Sequence, residues 1–115
     1  MIEKNFLTKD MKKIMIKVKI LKLIGSKRTY SYAITKEIAQ SKHMARFFNG
    51  KGAVKDEVYN TINALEKSGY IRLVKQPKSG RVTNYYAITK EGKSVLDDTK
   101  KVFASSMKEI SKIFK

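Results

Sequence analysis

The chain has 115 residues, of which 42% are hydrophobic, so it can bury the core of one compact domain. It has no cysteine and one histidine, which excludes a disulfide framework, a thiolate metal site and a cysteine nucleophile. Lys and Arg total 26 against 10 acidic residues, for a formal net charge of +16. We therefore expect a polyanionic partner, of which nucleic acid is the commonest.

The positive charge has a second explanation, because lysine-rich surfaces are also typical of some thermophilic proteomes. Lysines interrupt the apolar positions of the first 25 residues, and no apolar stretch reaches the roughly 18 residues of a membrane span. We therefore expect a cytoplasmic, nucleoid-associated protein with neither a signal peptide nor a membrane segment.

Apolar residues at helical spacing predict three helices in the first 70 residues. The first helix covers residues 11–25 and carries two apolar rows, which indicates burial on two sides. A second helix begins near residue 30, where Thr29 or Ser31 can cap it, and ends near Ser41. After a loop at residues 43–52, the third helix covers residues 54–68 and ends at Gly69.

After Gly69 the apolar period becomes that of a strand. Residues 70–74 and 82–88 form a hairpin, and the turn between them is basic and contains Pro77 and Gly80. Thr89 then caps a last helix of about 25 residues, which is longer than the domain it leaves. Its apolar stripe predicts contact with a second copy of the chain.

This order of elements is that of a winged helix-turn-helix. The predicted fold class is mainly α with a small β-hairpin and a long C-terminal dimerisation helix. Residues 1–88 are expected to form the DNA-binding domain, including the N-terminal helix, and residues 89–115 the dimerisation helix.

In a winged helix the third helix enters the major groove. Asn60 and Asn63 lie opposite its apolar face, where each can form two hydrogen bonds with adenine. Lys55 can reach a guanine or a phosphate, and Tyr59 a phosphate or a thymine methyl group. Each of these side chains is alternatively an ordinary solvated surface residue. The predicted DNA-binding residues are Tyr30, Lys36, Lys55, Tyr59, Asn60, Asn63, Lys75, Lys78, Ser79 and Arg81.

The dimer interface is predicted on the last helix together with one row of the first helix. Its residues are Ile16, Ile20, Leu96, Val102, Phe103, Met107, Ile110 and Phe114. The lysines of the first helix, from Lys12 to Lys22, either contact flanking DNA or form a solvated helix face.

Three segments carry a resemblance to a known family. Residues 58–71 (VYNTINALEKSGYI) are similar to the pattern LYxxLxxLxxxGLI of PadR-like regulators. Residues 80–92 (GRVTNYYAITKEG) resemble the family's GRxxKYYxLTxxG segment, and residues 32–38 (YAITKEI) its GYxIxKxI helix. The resemblance covers roughly residues 20–95. Two positions depart from the pattern: Ser31 replaces a glycine, and Asn84 replaces a lysine.

The resemblance implies a homodimer that binds a palindromic operator in double-stranded DNA, typically as a repressor. It also implies that the C-terminal helix and the first helix pack against their counterparts. Tyr59 corresponds to the family's recognition-helix tyrosine and Arg81 to its wing arginine. Some members bind flat aromatic drugs through tryptophan, which this chain lacks, so a small-molecule effector stays uncertain. Phe103 and Phe114 are better explained by packing.

Three other classes of protein are alternatives to a sequence-specific DNA-binding regulator. An architectural or partition protein that coats DNA would show little sequence preference, whereas a regulator binds its site about 10³–10⁷ times more tightly than random DNA. Some RNA-binding proteins use winged helices, but they seldom need a long apolar C-terminal helix. An enzyme is not expected, since residues 50–52 lack the spacing of a P-loop and no cofactor motif is present.

Overall fold

The computed structural model describes residues 5–42, 44, 51–78 and 81–115, and side chains within 12–42, 44, 53–75 and 84–115. In this part of the chain the order of elements matches the predicted mainly α fold with one hairpin. The elements are α1 (Asn5–Ser26), α2 (Ser31–Ala39), α3 (Lys51–Lys67), β1 (Ile71–Lys78), β2 (Arg81–Ile88) and α4 (Lys90–Ile113).

Helix α1 forms the centre of the core. It packs against α2 and α3 as well as against β2 and α4, which explains why its sequence carries two apolar rows. Ile16 and Ile20 are completely buried, one turn apart. Each fully buried isoleucine contributes about 1.5–3 kcal/mol relative to an exposed one. The core also contains Leu21, Ile24, Ile34, Ile38, Met44, Val54, Val58, Ile62, Leu65, Ile71, Tyr86 and Leu96.

The end of α3 is set by Gly69, as predicted. This residue has φ +80°, a left-handed conformation that a Cβ atom disfavours. The Gly69 N–H donates to the Glu66 carbonyl at 3.0 Å, and the Tyr70 N–H donates to the Leu65 carbonyl at 3.0 Å. These bonds satisfy the last carbonyls of α3 and turn the chain directly into β1.

The hairpin extends further than the apolar pattern predicts, since β1 pairs with β2 from Ile71↔Ile88 to Lys78↔Arg81. A third backbone segment joins it, because Thr29 and Tyr86 exchange N–H···O bonds of 3.3 and 2.7 Å. The prediction that Thr29 or Ser31 caps α2 is wrong, because Thr29 pairs with Tyr86 and Ser31 is already the first residue of α2. The N-cap residue is Tyr30, which makes no side-chain cap, and Thr29 serves the sheet instead.

Helix α4 begins at the predicted cap. The Thr89 hydroxyl accepts a 3.0 Å hydrogen bond from the Gly92 N–H and donates a 2.7 Å bond to the Gly69 carbonyl. It therefore ties the start of α4 to the end of α3. The first turns of α4 pack on α1, whereas residues 104–115 are exposed throughout. The described chain is elongated accordingly, with extents of 58 × 32 × 21 Å.

Some predicted boundaries need correction. Helix α1 continues through Gly25 to Ser26, and α3 begins at Lys51, inside the predicted loop. Met44 also belongs to that loop by prediction, yet it is helical and buried, because its apolar side chain joins the core. The rest of the loop, residues 43 and 45–50, lies outside the described residues. Among the helices of the described chain, none is both long and apolar enough to cross a bilayer.

Candidate nucleic-acid interface

The core fixes which face of α3 points outward. Val54, Val58 and Ile62 are at most 2% exposed, so the helix is held at one rotation about its axis. Lys55, Asn60 and Asn63 consequently lie on the exposed side. All of these residues were predicted from helical geometry, and the structure brings them onto one surface.

Lys55 and Tyr59 interact along this surface. They are one turn apart, and the Lys55 ammonium nitrogen lies 5.9 Å from the centroid of the Tyr59 ring. An exposed cation–π contact of this kind is worth about 0.5–1 kcal/mol. Tyr59 is 37% exposed, so its ring supports the ammonium while remaining accessible. The exposed side of α3 thus carries a positioned positive charge, two amide side chains and the Asp56 carboxylate, groups that can contact base edges in the major groove.

Tyr30 connects α2 to the wing. Its ring meets the Tyr85 ring edge to face, with centroids 5.5 Å apart and planes at 81°. The adjacent residues Thr29 and Tyr86 are joined by the backbone bonds described above. Tyr30 is a predicted DNA contact, and in the structure its ring packs against Tyr85 of β2.

Helix α2 contributes a polar hollow of about 370 Å³. Lys36, a predicted DNA contact, lines it and is exposed. Tyr32 lines it as well and is 66% exposed, although it was not among the predicted contacts. Its position four residues before Lys36, away from the buried Ile34 and Ile38, is the signal that would have identified it. Glu37 adds an acid to the lining of the hollow. Helix α2 itself packs against α3.

The wing carries the remaining predicted contacts. Lys75 is exposed on β1 and pairs in register with Asn84, also exposed, on β2. Lys78 and Arg81 form the last pair of the hairpin, which places both backbones at its tip. Their side chains, and the whole of Ser79, lie outside the described residues.

A second surface runs along α4. Val102 and Met107 are 62% and 59% exposed, Ile110 is 43% exposed, and Phe114 is 84% exposed, so Phe114 does not pack within its own chain. Phe103 is half-buried at a groove of about 540 Å³ between α1 and α4. The groove is lined by Ile14, Met15, Val18, Lys19, Lys22, Ser41, Met44, Thr99, Lys100 and Phe103.

Three predicted dimer contacts need correction. Ile16 and Ile20 have no exposed surface, and Leu96 is 8% exposed. All three belong to the chain's own core, so their burial needs no partner subunit and they have almost no surface to offer one. The apolar row of α1 that remains accessible contains Ile14, Met15 and Val18.

Metal-binding chemistry finds no support in the part of the chain that the structure describes. No group of three or more His, Asp and Glu side chains there could hold a metal ion.

The family described as "Transcriptional regulator PadR-like family" matches residues 20–98, a segment that includes α2, α3, the hairpin and the start of α4. No curated protein matches.

Solved structures share the fold. A transcriptional regulator from Clostridium thermocellum is 23% identical with a TM-score of 0.73, and each chain is covered completely. A PadR-like regulator from Bacillus cereus is 20% identical with a TM-score of 0.72, over 92% of this chain and 97% of that one. A PadR family regulator from Clostridium difficile is 23% identical with a TM-score of 0.68, over 87% and 98% of the two chains.

Proposed function

We propose that this chain, which belongs to the PadR-like family of transcriptional regulators, represses transcription as a homodimer on a palindromic operator. Family membership makes it a DNA-binding regulator of transcription, and such regulators are not enzymes. The observation that carries the proposal is the exposed face of α3, which presents a lysine, a tyrosine and two asparagines from a helix locked against the core.

Helix α3 enters the major groove with this face toward the bases. Asn60 and Asn63 each form a two-point hydrogen bond with adenine, and Lys55 binds a guanine edge or a phosphate. Tyr59 directs its hydroxyl to a phosphate while its ring holds the Lys55 ammonium. Base contacts of this kind supply specificity, and phosphate contacts supply register.

The wing, residues 75–83, lies along the neighbouring backbone or minor groove. Lys75, Lys78 and Arg81 bind phosphates there, with Ser79 at the turn. Helix α2 contributes Tyr30 at its N-cap and Lys36 in its last turn. Phosphate contacts from α2 and from the wing would hold α3 at one depth and one angle in the groove.

The dimer is held by residues 89–115, which contain α4, and residues 1–88 bind DNA. The accessible stripe of Val102, Phe103, Met107, Ile110 and Phe114 packs against the partner. The groove between α1 and α4 extends the apolar surface beyond this stripe. An exposed apolar stripe on a helix that projects from its domain is the observation that supports self-association. A two-fold dimer places two α3 helices in successive major grooves, about 34 Å apart.

The proposal is tested by selection from a random-sequence duplex library at moderate salt, followed by sequencing. We expect an enriched palindrome whose half-sites are one helical turn apart. Retention of DNA without any enriched sequence would replace the operator with an architectural, DNA-coating role, which the net charge of +16 would also support. Failure to retain any DNA would contradict both.

A further inference from the structure

The polar side of α4 separates its charges. At 100° per residue, six lysines fall within an arc of about 120° on the side away from the apolar stripe. Three of the four acids, Glu91, Asp98 and Glu109, lie along a different line of the helix, and Asp97 interrupts the lysines. We call the six lysines the α4 basic face, and all are exposed: Lys90, Lys93, Lys100, Lys101, Lys108 and Lys112.

Lysines of α1 extend this face. Lys22 and Lys100 line both the apolar groove and a second hollow of about 350 Å³ between α1 and the start of α4. Lys93 lines the second hollow, and Lys19 lines the groove. Cations from two helices therefore converge at the edge of the α4 basic face, with Asp97 as the acid in the second hollow.

Internal ion pairs do little to neutralise these charges. The ion pair shown on α4 joins Lys112 to Glu109 at 3.3 Å, with both side chains 70% exposed. A pair so exposed is weak and easily exchanged for another anion. Ordered lysines on a helix gain more from a polyanion, because each neutralised phosphate releases a condensed counterion.

The α4 basic face is separate from the recognition surface. Helix α1 packs against both α3 and α4, whereas α3 and α4 have no comparable contact with each other in the described chain. Four lysines of the α4 basic face lie opposite the apolar stripe, so the proposed dimer would leave them open: Lys90, Lys101, Lys108 and Lys112. Lys100 lies at the edge of the face, where it lines the apolar groove. From Lys90 to Lys112 the face extends about 33 Å at 1.5 Å per residue. This length is close to one helical turn of duplex DNA, about 34 Å.

We infer that the α4 basic face binds a second DNA duplex, so that a dimer on its operator bridges two duplexes. The inference rests on the proposed function, which brings the dimer to DNA through α3. Duplex DNA is the partner because it offers a continuous row of phosphates over the length of the face. Contacts to phosphates alone make the second duplex independent of sequence and sensitive to salt.

Capture of a second duplex tests this. A bead-bound duplex carrying the selected operator is saturated with protein, washed, and offered a labelled duplex without the operator. The double variant Lys101→Glu/Lys108→Glu is compared with Lys13→Glu/Lys17→Glu, which removes the same charge from exposed positions of α1. Anionic phosphatidylglycerol vesicles are offered in a parallel arm.

We expect the wild type and the α1 variant to capture the labelled duplex. The α4 variant should saturate the operator equally well but capture about tenfold less of the second duplex, because it loses two phosphate contacts and places two carboxylates beside the phosphates. The inference would be overturned if both variants lost capture of the second duplex equally. It would also be overturned if the wild type saturated the operator but captured no second duplex. Either result would leave the proposed function intact. Capture of vesicles without capture of duplex would identify a membrane surface instead. Failure of the wild type to bind the operator would overturn both proposals.

Discussion

The ring of Tyr30 stands nearly perpendicular to the ring of Tyr85, at an interplanar angle of 81° and a centroid separation of 5.5 Å. Tyr30 is the N-cap residue of α2, and Tyr85 belongs to β2. The contact thus joins the helix-turn-helix to the wing, beside the backbone bridge between Thr29 and Tyr86. This cluster holds two elements that are far apart in sequence, and that we propose bind DNA, in one relative position.

We expect a double-mutant cycle of Tyr30→Ala and Tyr85→Ala to give a coupling energy of about 0.5–1.5 kcal/mol, the range for edge-to-face pairs. The free energy of unfolding in urea provides the measurement. Tyr32→Ala is the matched control, since Tyr32 is 66% exposed and its removal should change stability by less than about 0.5 kcal/mol. Strict additivity of the two single variants would show that the rings do not support each other.

Gly92 is required where α4 meets the end of α3. A Cβ atom at residue 92 would overlap the Tyr70 carbonyl oxygen and come within 2.8 Å of the Ile88 side chain. Because the overlapped atom belongs to the backbone, a rotamer change cannot relieve the contact. We expect Gly92→Ala to lower the free energy of unfolding by about 1–3 kcal/mol, the usual cost of overpacking.

Gly25→Ala is the control for this substitution. Its Cβ atom would meet the Ile88 side chain at 3.6 Å, an ordinary contact, inside helix α1. Alanine is the better helix former by about 0.5–1 kcal/mol, so this variant should be at least as stable as the wild type. If the Gly92→Ala protein had the same free energy of unfolding as the wild type, the backbone where α4 meets the end of α3 would have to be able to shift.

Features decided within a few residues were predictable from the sequence. Thr89 and Gly69 were identified correctly because a cap depends on local residue type and spacing. The exposed face of α3 followed from its apolar spacing alone.

Features decided by distant contacts were not predictable. Thr29 has the composition of a cap but pairs with Tyr86, and no local pattern reports that pairing. The two apolar rows of α1 indicate that the helix is buried on two sides, but they do not indicate which elements cover it. Ile16 and Ile20 were therefore predicted to contact a partner subunit, whereas they lie in the chain's own core. Tyr32 was not predicted as a contact, although it lies four residues before Lys36, because its exposure depends on how α2 packs in the fold.

Binding measurements can distinguish side chains that contact bases from side chains that contact phosphates. We expect Asn60→Ala and Asn63→Ala each to reduce discrimination between the selected operator and a scrambled duplex by about 1–3 kcal/mol, because each loses a two-point contact with a base. Lys75→Ala should instead weaken both duplexes alike and reduce the slope of log K against log salt by about 0.9. Competition binding at several salt concentrations separates the two effects. Unchanged discrimination in both asparagine variants would show that α3 presents a different face to DNA.

The apolar stripe of α4 should control the oligomeric state. Val102 is 62% exposed and Ile110 is 43% exposed, so a charge at either position costs the isolated chain little. In the proposed dimer each substitution would place a carboxylate in the interface twice, once from each subunit. Loss of one buried aliphatic side chain per subunit alone costs about 3 kcal/mol in total, so we expect the dissociation constant to rise at least 100-fold.

Sedimentation equilibrium measures this change, and far-UV circular dichroism checks that the fold is retained. Ser105→Glu is the control, because Ser105 is exposed on the polar side of the same helix and should leave the dimer intact. The monomeric variants should bind a half-site with the affinity of one α3 helix and lose the preference for a palindrome, because that preference comes from two recognition helices linked by the dimer. If Val102→Glu and Ile110→Glu remained dimeric, another surface of the chain would have to hold the two copies together.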